Sequence, residues 1–142
     1  MIVDFYHLTA TPLERVLPTI CEKVLAGGGR LLVVADEGRL SRLDDILWAY
    51  AKEAFLPHGR QNAKSQPILL SAAPVAANGA TNIALADGQW RDEALGFERA
   101  FYFFDDDARD GARQAWRGLK DKAETEARYW KQDERGKWIQ GP

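Results

Sequence analysis

The sequence predicts an α/β fold of three layers (α/β/α), with helices on both faces of a mainly parallel sheet. Short apolar segments typical of buried strands alternate along the chain with segments of helical periodicity, and this alternation indicates a parallel sheet covered by helices. The 142 residues suit one domain whose core is large enough to need no disulfide or metal. We therefore expect residues 1–142 to form a single domain.

The first part of the chain contains two predicted strands and one helix. Residues 2–8 alternate as in a strand, and the apolar run at 31–35 is typical of a buried strand. Between them, aliphatic residues keep helical spacing up to the glycines at 27–29, which suit a helix C-terminus. The helix start is predicted from an N-cap threonine, a proline at the first helical position and a capping-box glutamate: Thr11, Pro12 and Glu14.

The rest of the chain continues the alternation of strands and helices. Ser41 and Asp44 form a second capping pattern, which opens a helix that Pro57 and Gly59 close. Further strands are predicted from short apolar runs at 67–71, 83–85 and 100–104. A short helix is predicted at 92–99, and a longer one begins at residue 107. This order is Rossmann-like, but a fold does not establish function, and the chain contains no GxGxxG motif.

The helix after Ser41 carries two apolar faces. Its core-facing stripe includes Leu43 and Leu47, whereas Trp48 lies far from that stripe on a helical wheel. Phe55, seven residues after Trp48, falls almost directly above it and completes a second apolar face. Such a helix either lies deep inside a core or contacts a partner, and the residue pattern leaves both interpretations open.

The segment RLDDILWAYAKEAFLPHG at 42–59 closely resembles the chi subunit of the bacterial DNA polymerase III holoenzyme. The resemblance extends over most of the chain, and the order and spacing of the motif match. It implies a non-enzymatic accessory subunit whose tryptophan and phenylalanine bind the psi subunit of the clamp loader, or alternatively a helicase. The partner surface that it implies consists of Trp48, Phe55, Leu56, Pro57 and His58.

The predicted C-terminal helix combines cations with an aromatic residue along one edge. Trp116 borders its small, apolar stripe, and the neighbouring sector holds Arg109, Arg113, Arg117 and Lys120. Four cations alone would be typical of a solvated basic face. An apolar shelf beside convergent cations instead suits a peptide that ends in a hydrophobic residue with a free carboxylate, which arginine can hold bidentately.

The resemblance supplies a ligand of this kind, the acidic C-terminal tail of single-stranded DNA-binding protein, which ends in Pro-Phe. It places Arg113, Trp116 and Arg117 in the tail-binding site, with Lys120 on the same edge. Trp116 stands where the family has tyrosine, so the shelf is kept but a hydroxyl is lost. A later aromatic and basic cluster contains Trp138, which either lines this site or has a packing role. We include Trp138 in the predicted site.

Composition excludes several other classes of function. A net charge of −2 argues against a protein whose main task is to grip phosphate backbones, so strong direct nucleic-acid binding is not expected. The single cysteine, Cys21, forms neither an internal disulfide nor a thiolate metal site and fits a reducing cytoplasm. No leader or membrane-spanning run is found, so we expect a cytoplasmic protein with no membrane partner.

Two alternatives remain from the residues alone. A nucleotide- or magnesium-binding α/β enzyme could use acids at the strand C-termini, namely Asp36, Glu37 and residues 105–107. The chain lacks a GK[ST] sequence, and neither His7 nor His58 has a ligand-spaced partner, so no cofactor or metal is expected. The second alternative is a direct nucleic-acid binder that uses the basic C-terminal helix.

Overall fold

A computed structural model of the chain describes residues 1–51 and 56–141. The first half contains β1 (Ile2–His7), α1 (Leu13–Ala26), β2 (Leu31–Val34), α2 (Glu37–Ala51), β3 (His58–Gly59) and β4 (Ile68–Ser71). The second half contains β5 (Asn82–Leu85), β6 (Arg99–Phe104), α3 (Arg109–Lys120), β7 (Glu126–Gln132) and β8 (Trp138–Gln140). Short 3-10 helices lie at Ala63–Ser65, Asp92–Gly96 and Asp106–Ala108.

The strands of the described residues form one sheet in the order β3-β4-β2-β5-β6-β1-β7-β8. Neighbouring strands pair in parallel except for β7 and β8, which form an antiparallel hairpin at one edge. Because β1 lies between β6 and β7, the N-terminal strand joins the parallel sheet to this hairpin. The predicted three-layer α/β fold with a mainly parallel sheet is confirmed. The single-domain organisation of residues 1–142 stays a prediction.

Each face of the sheet has its own core because strand side chains alternate in direction. On the face that we call the α1–α2 face, Tyr6, Phe101 and Phe103 pack with apolar residues of α1 and α2. On the opposite face, the α3 face, Phe5 and Tyr102 pack with the small residues of α3. No helix of the described residues is long and apolar enough to cross a membrane.

The starts of α1 and α2 both differ from the sequence-based prediction. Pro12 is the N-cap of α1 without a side-chain cap hydrogen bond, and the Thr11 hydroxyl instead accepts a bond from Gln132 Nε2 at 2.7 Å. The predicted capping box is therefore wrong. Helix α2 begins at Glu37, so Ser41 lies inside it. Tertiary contacts explain the earlier start, because Leu40 is fully buried in the core and contributes to packing of the first turn.

The C-terminal hairpin is the main element that the sequence-based prediction lacks. Strand β7 mixes charged and aromatic residues, and its backbone pairs with β1 from Ile2↔Glu126 to Tyr6↔Trp130. The turn before β8 places Gly136 at φ 81°, and Asp133 Oδ1 accepts the backbone N–H groups of two turn residues. The hairpin thus carries a second set of aromatic side chains to both faces of the sheet edge.

Candidate functional site

A cavity of about 370 Å³ lies on the α3 face, where α3, the C-terminal ends of β1 and β6, and β7 meet. We call it the α3 pocket. Its lining residues are aromatic or cationic with one alanine: Phe5, His7, Phe104, Arg109, Ala112, Arg113, Trp116, Arg117 and Tyr129. The C-terminal ends of parallel strands are a common place for ligand sites, and this pocket lies beside two of them.

The walls of the α3 pocket are aromatic rings that hold one another in place. The Trp116 ring packs edge to face on the buried Phe5, with 5.2 Å between ring centroids, and also lies edge to face with Tyr129 at 6.5 Å. On the other side, the His7 ring stacks on Phe104 at 4.8 Å. Because the rings fix each other's orientation, the pocket offers a rigid apolar surface.

Three arginines follow one another along the rim of the pocket. Arg109, Arg113 and Arg117 are spaced four residues apart on α3, so they lie on one face of the helix. Within the part of the chain that the structure describes, none of their guanidinium groups forms an ion pair or hydrogen bond, and all three are exposed. Their uncompensated charges make the pocket attractive to carboxylates.

A hydrogen-bonded chain runs beside the pocket through His7. Its Nε2 lies 2.7 Å from Asp106 Oδ1, and its Nδ1 lies 2.8 Å from the Tyr129 hydroxyl oxygen. An ionised carboxylate only accepts, so Nε2 carries the proton, and in the neutral ring Nδ1 accepts the Tyr129 O–H. In this tautomer of the neutral ring, the Tyr129 oxygen has lone pairs, but no proton, left for a ligand.

The charges around Tyr129 act on it in opposite directions. Burial raises the pKa of Tyr129, and the nearby Asp106 carboxylate raises it further, whereas Arg109 and Arg113 lower it. The net effect is a pKa above the ordinary tyrosine value, so the hydroxyl stays neutral. Tyr129 thus contributes a neutral hydrogen-bonding group to a pocket whose rim is cationic.

A second exposed feature lies on α2. The Trp48 side chain is 61% exposed, and its ring packs edge to face against the His58 ring at 4.9 Å. His58 is buried, and its Nδ1 lies 2.7 Å from the Leu56 carbonyl oxygen. Its Nε2 lies 3.4 Å from Asp44 Oδ1, within ion-pair distance but without hydrogen-bond geometry. His58 thus supports a large apolar ring that remains open to solvent.

Comparison with known proteins shows the family to which the chain belongs. The family model for the DNA polymerase III chi subunit, HolC, matches residues 1–125. The chain belongs to the DNA polymerase III chi subunit family. It is therefore a replication accessory protein. No match to an individual curated protein was found. The family match includes α2 and α3 and ends directly before β7, which supplies Tyr129 to the α3 pocket.

The structure brings together three of the tail-site residues that the chi resemblance implied. Arg113, Trp116 and Arg117 line the α3 pocket. Lys120 lies at the end of α3 and is exposed but does not line it. The predicted site lacked four lining residues that come from distant segments, namely Phe5, His7, Phe104 and Tyr129. It also lacked Arg109, which lies on the same edge of α3. Of these, Tyr129 could have been found from the alternation of side chains along β7.

The structure corrects the predicted position of Trp138. Trp138 pairs with Gln132 across the hairpin, so its side chain lies on the α1–α2 face, opposite the α3 pocket. There the ring packs perpendicular to Tyr6, with 5.2 Å between centroids. The prediction that Trp138 lines the same pocket as Arg113 is therefore wrong, because the alternation in β7 and β8 sends it to the other face.

The partner surface implied by the resemblance divides into exposed and buried residues. Trp48 is exposed and Pro57 is partly exposed, whereas Leu56 is only 3% exposed and belongs to the core on the α1–α2 face. The expectation that Leu56 and His58 present their side chains to a partner is corrected, because both pack inward. Phe55 lies outside the described residues.

Four of the five acids proposed for the enzyme alternative, all except Asp107, are engaged with other groups of the protein. Asp36 forms an ion pair with Arg39 at 3.3 Å, and Glu37 pairs with Arg60. Asp105 accepts the Ala108 N–H at the start of a 3-10 helix, while Asp106 contacts His7. Among the described residues, no group of three or more histidine, cysteine or acidic side chains is arranged to hold a metal ion.

Proposed function

We propose that this chi-family protein is a non-enzymatic adaptor of DNA polymerase III in the bacterial cytoplasm. In this proposal the α3 pocket holds the acidic C-terminal tail of single-stranded DNA-binding protein, and the surface around Trp48 binds the psi subunit of the clamp loader or a helicase. The observation that carries the proposal is the position, on the rim of an aromatic pocket, of three arginines that have no ion-pair partner among the described residues. Family membership supports it.

The chemistry of the pocket suits the end of such a tail. A terminal phenylalanine ring packs against the Trp116 ring, which its edge-to-face contact with the buried Phe5 holds in place. Arg113 and Arg117 are then available to the terminal carboxylate, and Arg109 to acidic residues further along the tail. Charge and apolar contact therefore act at the same end of the peptide, which makes the terminal residue essential.

Tyr129 adds a polar contact of defined direction. With neutral His7, the Tyr129 hydroxyl donates to His7 and accepts from a ligand, so it suits a backbone N–H of the tail. This hydroxyl comes from β7, and it provides a hydrogen-bonding group in a site where Trp116 replaces the tyrosine of the family pattern. The pocket is thus supplied with acceptors for the backbone as well as donors for carboxylates.

The Trp48 surface suits a protein partner because large aromatic residues on a rigid helix are frequent anchors of interfaces. The contact with His58 limits the orientations of the indole before binding, which reduces the entropy lost in a complex. Phe55 extends this surface in our proposal by its position in the sequence, seven residues after Trp48.

The two proposed sites lie on helices that pack on opposite faces of the sheet, so both partners can be bound at once. A tether of this kind raises the local concentration of the polymerase assembly at coated single-stranded DNA, although each contact alone is weak. An adaptor of this kind needs two sites that bind their partners independently of each other, and this independence can be tested directly.

The experiment uses two variants and two partners. Arg113→Glu should abolish binding of single-stranded DNA-binding protein in calorimetry while binding of the psi subunit or the helicase is retained. Trp48→Ala combined with Phe55→Ala should show the reverse pattern. If either variant loses both partners while its thermal unfolding is unchanged, the sites are not independent and the proposal is wrong.

A further inference from the structure

A second groove lies on the α1–α2 face, between α1 and the C-terminal hairpin. It has a volume of about 510 Å³, and an adjoining cavity of about 290 Å³ shares four of its lining residues, including Lys23 and Arg99. Together they follow α1 from Thr11 near its start to Gly29 beyond its end, and we call them the α1 trench. Since α1 has 14 residues, the trench is about 20 Å long, longer than a site for a small ligand needs.

The walls of the α1 trench are cationic. Arg15, Lys23, Arg99 and Arg128 line it, and no aspartate or glutamate of the described residues does so. Arg15 and Lys23 are exposed, and their side chains have no ion-pair or hydrogen-bond partner within the described part of the chain. For a protein whose net charge is −2, this concentration of positive charge is local and directed at one surface.

One buried carboxylate organises the other two cations. Asp4 is fully buried and accepts hydrogen bonds at 2.7 to 3.0 Å from Nε and Nη2 of both Arg99 and Arg128, and from the Trp130 indole at 2.9 Å. A single carboxylate compensates only one of the two guanidinium charges. The Nη1 group of each arginine has no hydrogen-bond partner among the described residues, so both remain able to bind an anion.

Aromatic rings and the Thr11 hydroxyl line the same trench. Tyr6, Trp130 and Trp138 lie along it, and the Arg128 guanidinium carbon is 5.9 Å from the centre of the Trp130 ring. The Thr11 hydroxyl accepts from Gln132 Nε2, which leaves its own proton free to donate. An elongated channel that combines cations for a backbone with aromatic rings for bases is typical of sites for single-stranded nucleic acid.

We propose that the α1 trench is a weak, sequence-independent contact site for single-stranded nucleic acid, with Arg15 and Lys23 binding phosphates and Trp138 supporting a base. An extended acidic peptide would use the cations but has no aromatic bases to stack on Trp130 and Trp138, so nucleic acid uses more of the trench. The proposal is independent of tail binding, which uses the opposite face of the sheet.

The test is a fluorescence anisotropy titration of a labelled oligothymidine of about 15 nucleotides, repeated between about 20 and 200 mM salt. Neutralisation of about three phosphates gives a slope of log affinity against log salt of about −2, because each contributes about −0.7 on single strands. The trench variant carries Arg15→Glu and Lys23→Glu. Its matched control carries Arg113→Glu and Arg117→Glu, which changes the charge equally on the α3 face.

The proposal expects saturable binding at low salt that weakens at least about tenfold in the trench variant and stays close to wild type in the control. Circular dichroism should show unchanged melting, since Arg15 and Lys23 are exposed. Absence of binding at low salt would overturn the proposal, as would equal losses in both variants. It is also overturned if polyglutamate of similar length binds as tightly and is lost in the trench variant.

Discussion

The α3 pocket and the α1 trench lie on opposite faces of one sheet, and both place arginine beside tryptophan, but their arginines are held differently. In the α3 pocket, Arg109, Arg113 and Arg117 lie on the exposed side of α3 and have no acidic partner among the described residues. In the trench, Arg99 and Arg128 converge on the buried Asp4. Removing one member of a group that is built around a buried carboxylate destabilises the fold, because it leaves a buried charge without its partner, whereas the α3 arginines can be replaced without that cost.

The largest effect on stability is expected for Asp4→Asn, a change in the α1 trench. This change leaves two guanidinium groups without their buried counter-charge, and we expect unfolding free energy to fall by about 3 kcal/mol in urea titrations. The matched control is Glu14→Gln, which breaks the exposed pair with Arg42 and should cost less than about 1 kcal/mol. Equal losses in the two variants would mean that Asp4 is not the organising residue.

The next largest effect on stability distinguishes the buried Leu56 from the exposed Trp48. Leu56→Ala removes a buried core side chain and should lower the unfolding free energy by about 2 kcal/mol. Trp48→Ala should change it by no more than about 0.5 kcal/mol, because most of the indole is already exposed. Thermal unfolding of both variants checks this order, and a large loss for Trp48→Ala would identify the residue as a core residue.

Two substitutions on α3 that change the charge equally test whether the α3 pocket is a specific binding site. Arg113→Glu should lower the affinity for an acidic tail peptide at least about tenfold, since charge-assisted hydrogen bonds are replaced by repulsion. Lys120→Glu, which is outside the pocket, should have a much smaller effect. Peptide titrations at one salt concentration make the comparison. Similar losses would indicate a diffuse basic face instead of a pocket.

A smaller effect is expected for Tyr129→Phe. The ring and its contact with Trp116 are retained, but the hydroxyl that bridges His7 and the ligand is lost. We expect the affinity for the tail peptide to fall about threefold, the usual net value of one neutral hydrogen bond. Unchanged affinity in calorimetry would show that Tyr129 contributes only its ring.

The last prediction concerns how the stability contributed by Asp4 depends on pH. Burial alone would raise the pKa of Asp4, but hydrogen bonds from Arg128, Trp130 and Arg99 outweigh it and lower the pKa. A folded-state pKa below the unfolded value contributes stability above about pH 4, and this stability is lost as the pH falls through the folded pKa. The difference in unfolding free energy between wild type and Asp4→Asn should therefore shrink in acid. A constant difference would contradict the lowered pKa.

The contrast between the two regions also explains what could be predicted from the sequence. The fold class and most central strands were predicted because they are continuous apolar runs, such as Leu31–Val34. Strands β7 and β8 were missed because neither is a continuous buried apolar run: β7 is only partly buried and mixes charged with aromatic residues, and β8 is a short strand at the edge of the sheet. The start of α2 was placed too late because burial of Leu40 supports its first turn, and the capping pattern at Ser41 does not show that burial.

The candidate site was predictable only where it follows one helix. Arg113, Trp116 and Arg117 share an edge of α3, and helical periodicity together with the chi resemblance was enough to group them. His7 could not be grouped with them, because its partners Asp106 and Tyr129 are 99 and 122 residues away in the sequence. Trp138 was assigned to the wrong face because its direction depends on its pairing with Gln132.

The most direct test of the central claim is an anisotropy titration of a labelled acidic peptide ending in Asp-Ile-Pro-Phe, beside the same peptide without its last residue. The α3 pocket combines an aromatic wall with unpaired arginines, so we predict saturable, salt-sensitive binding that requires the terminal phenylalanine. Equal binding of the two peptides, or no binding at low salt by folded protein, would contradict the assignment of the pocket to the tail of single-stranded DNA-binding protein.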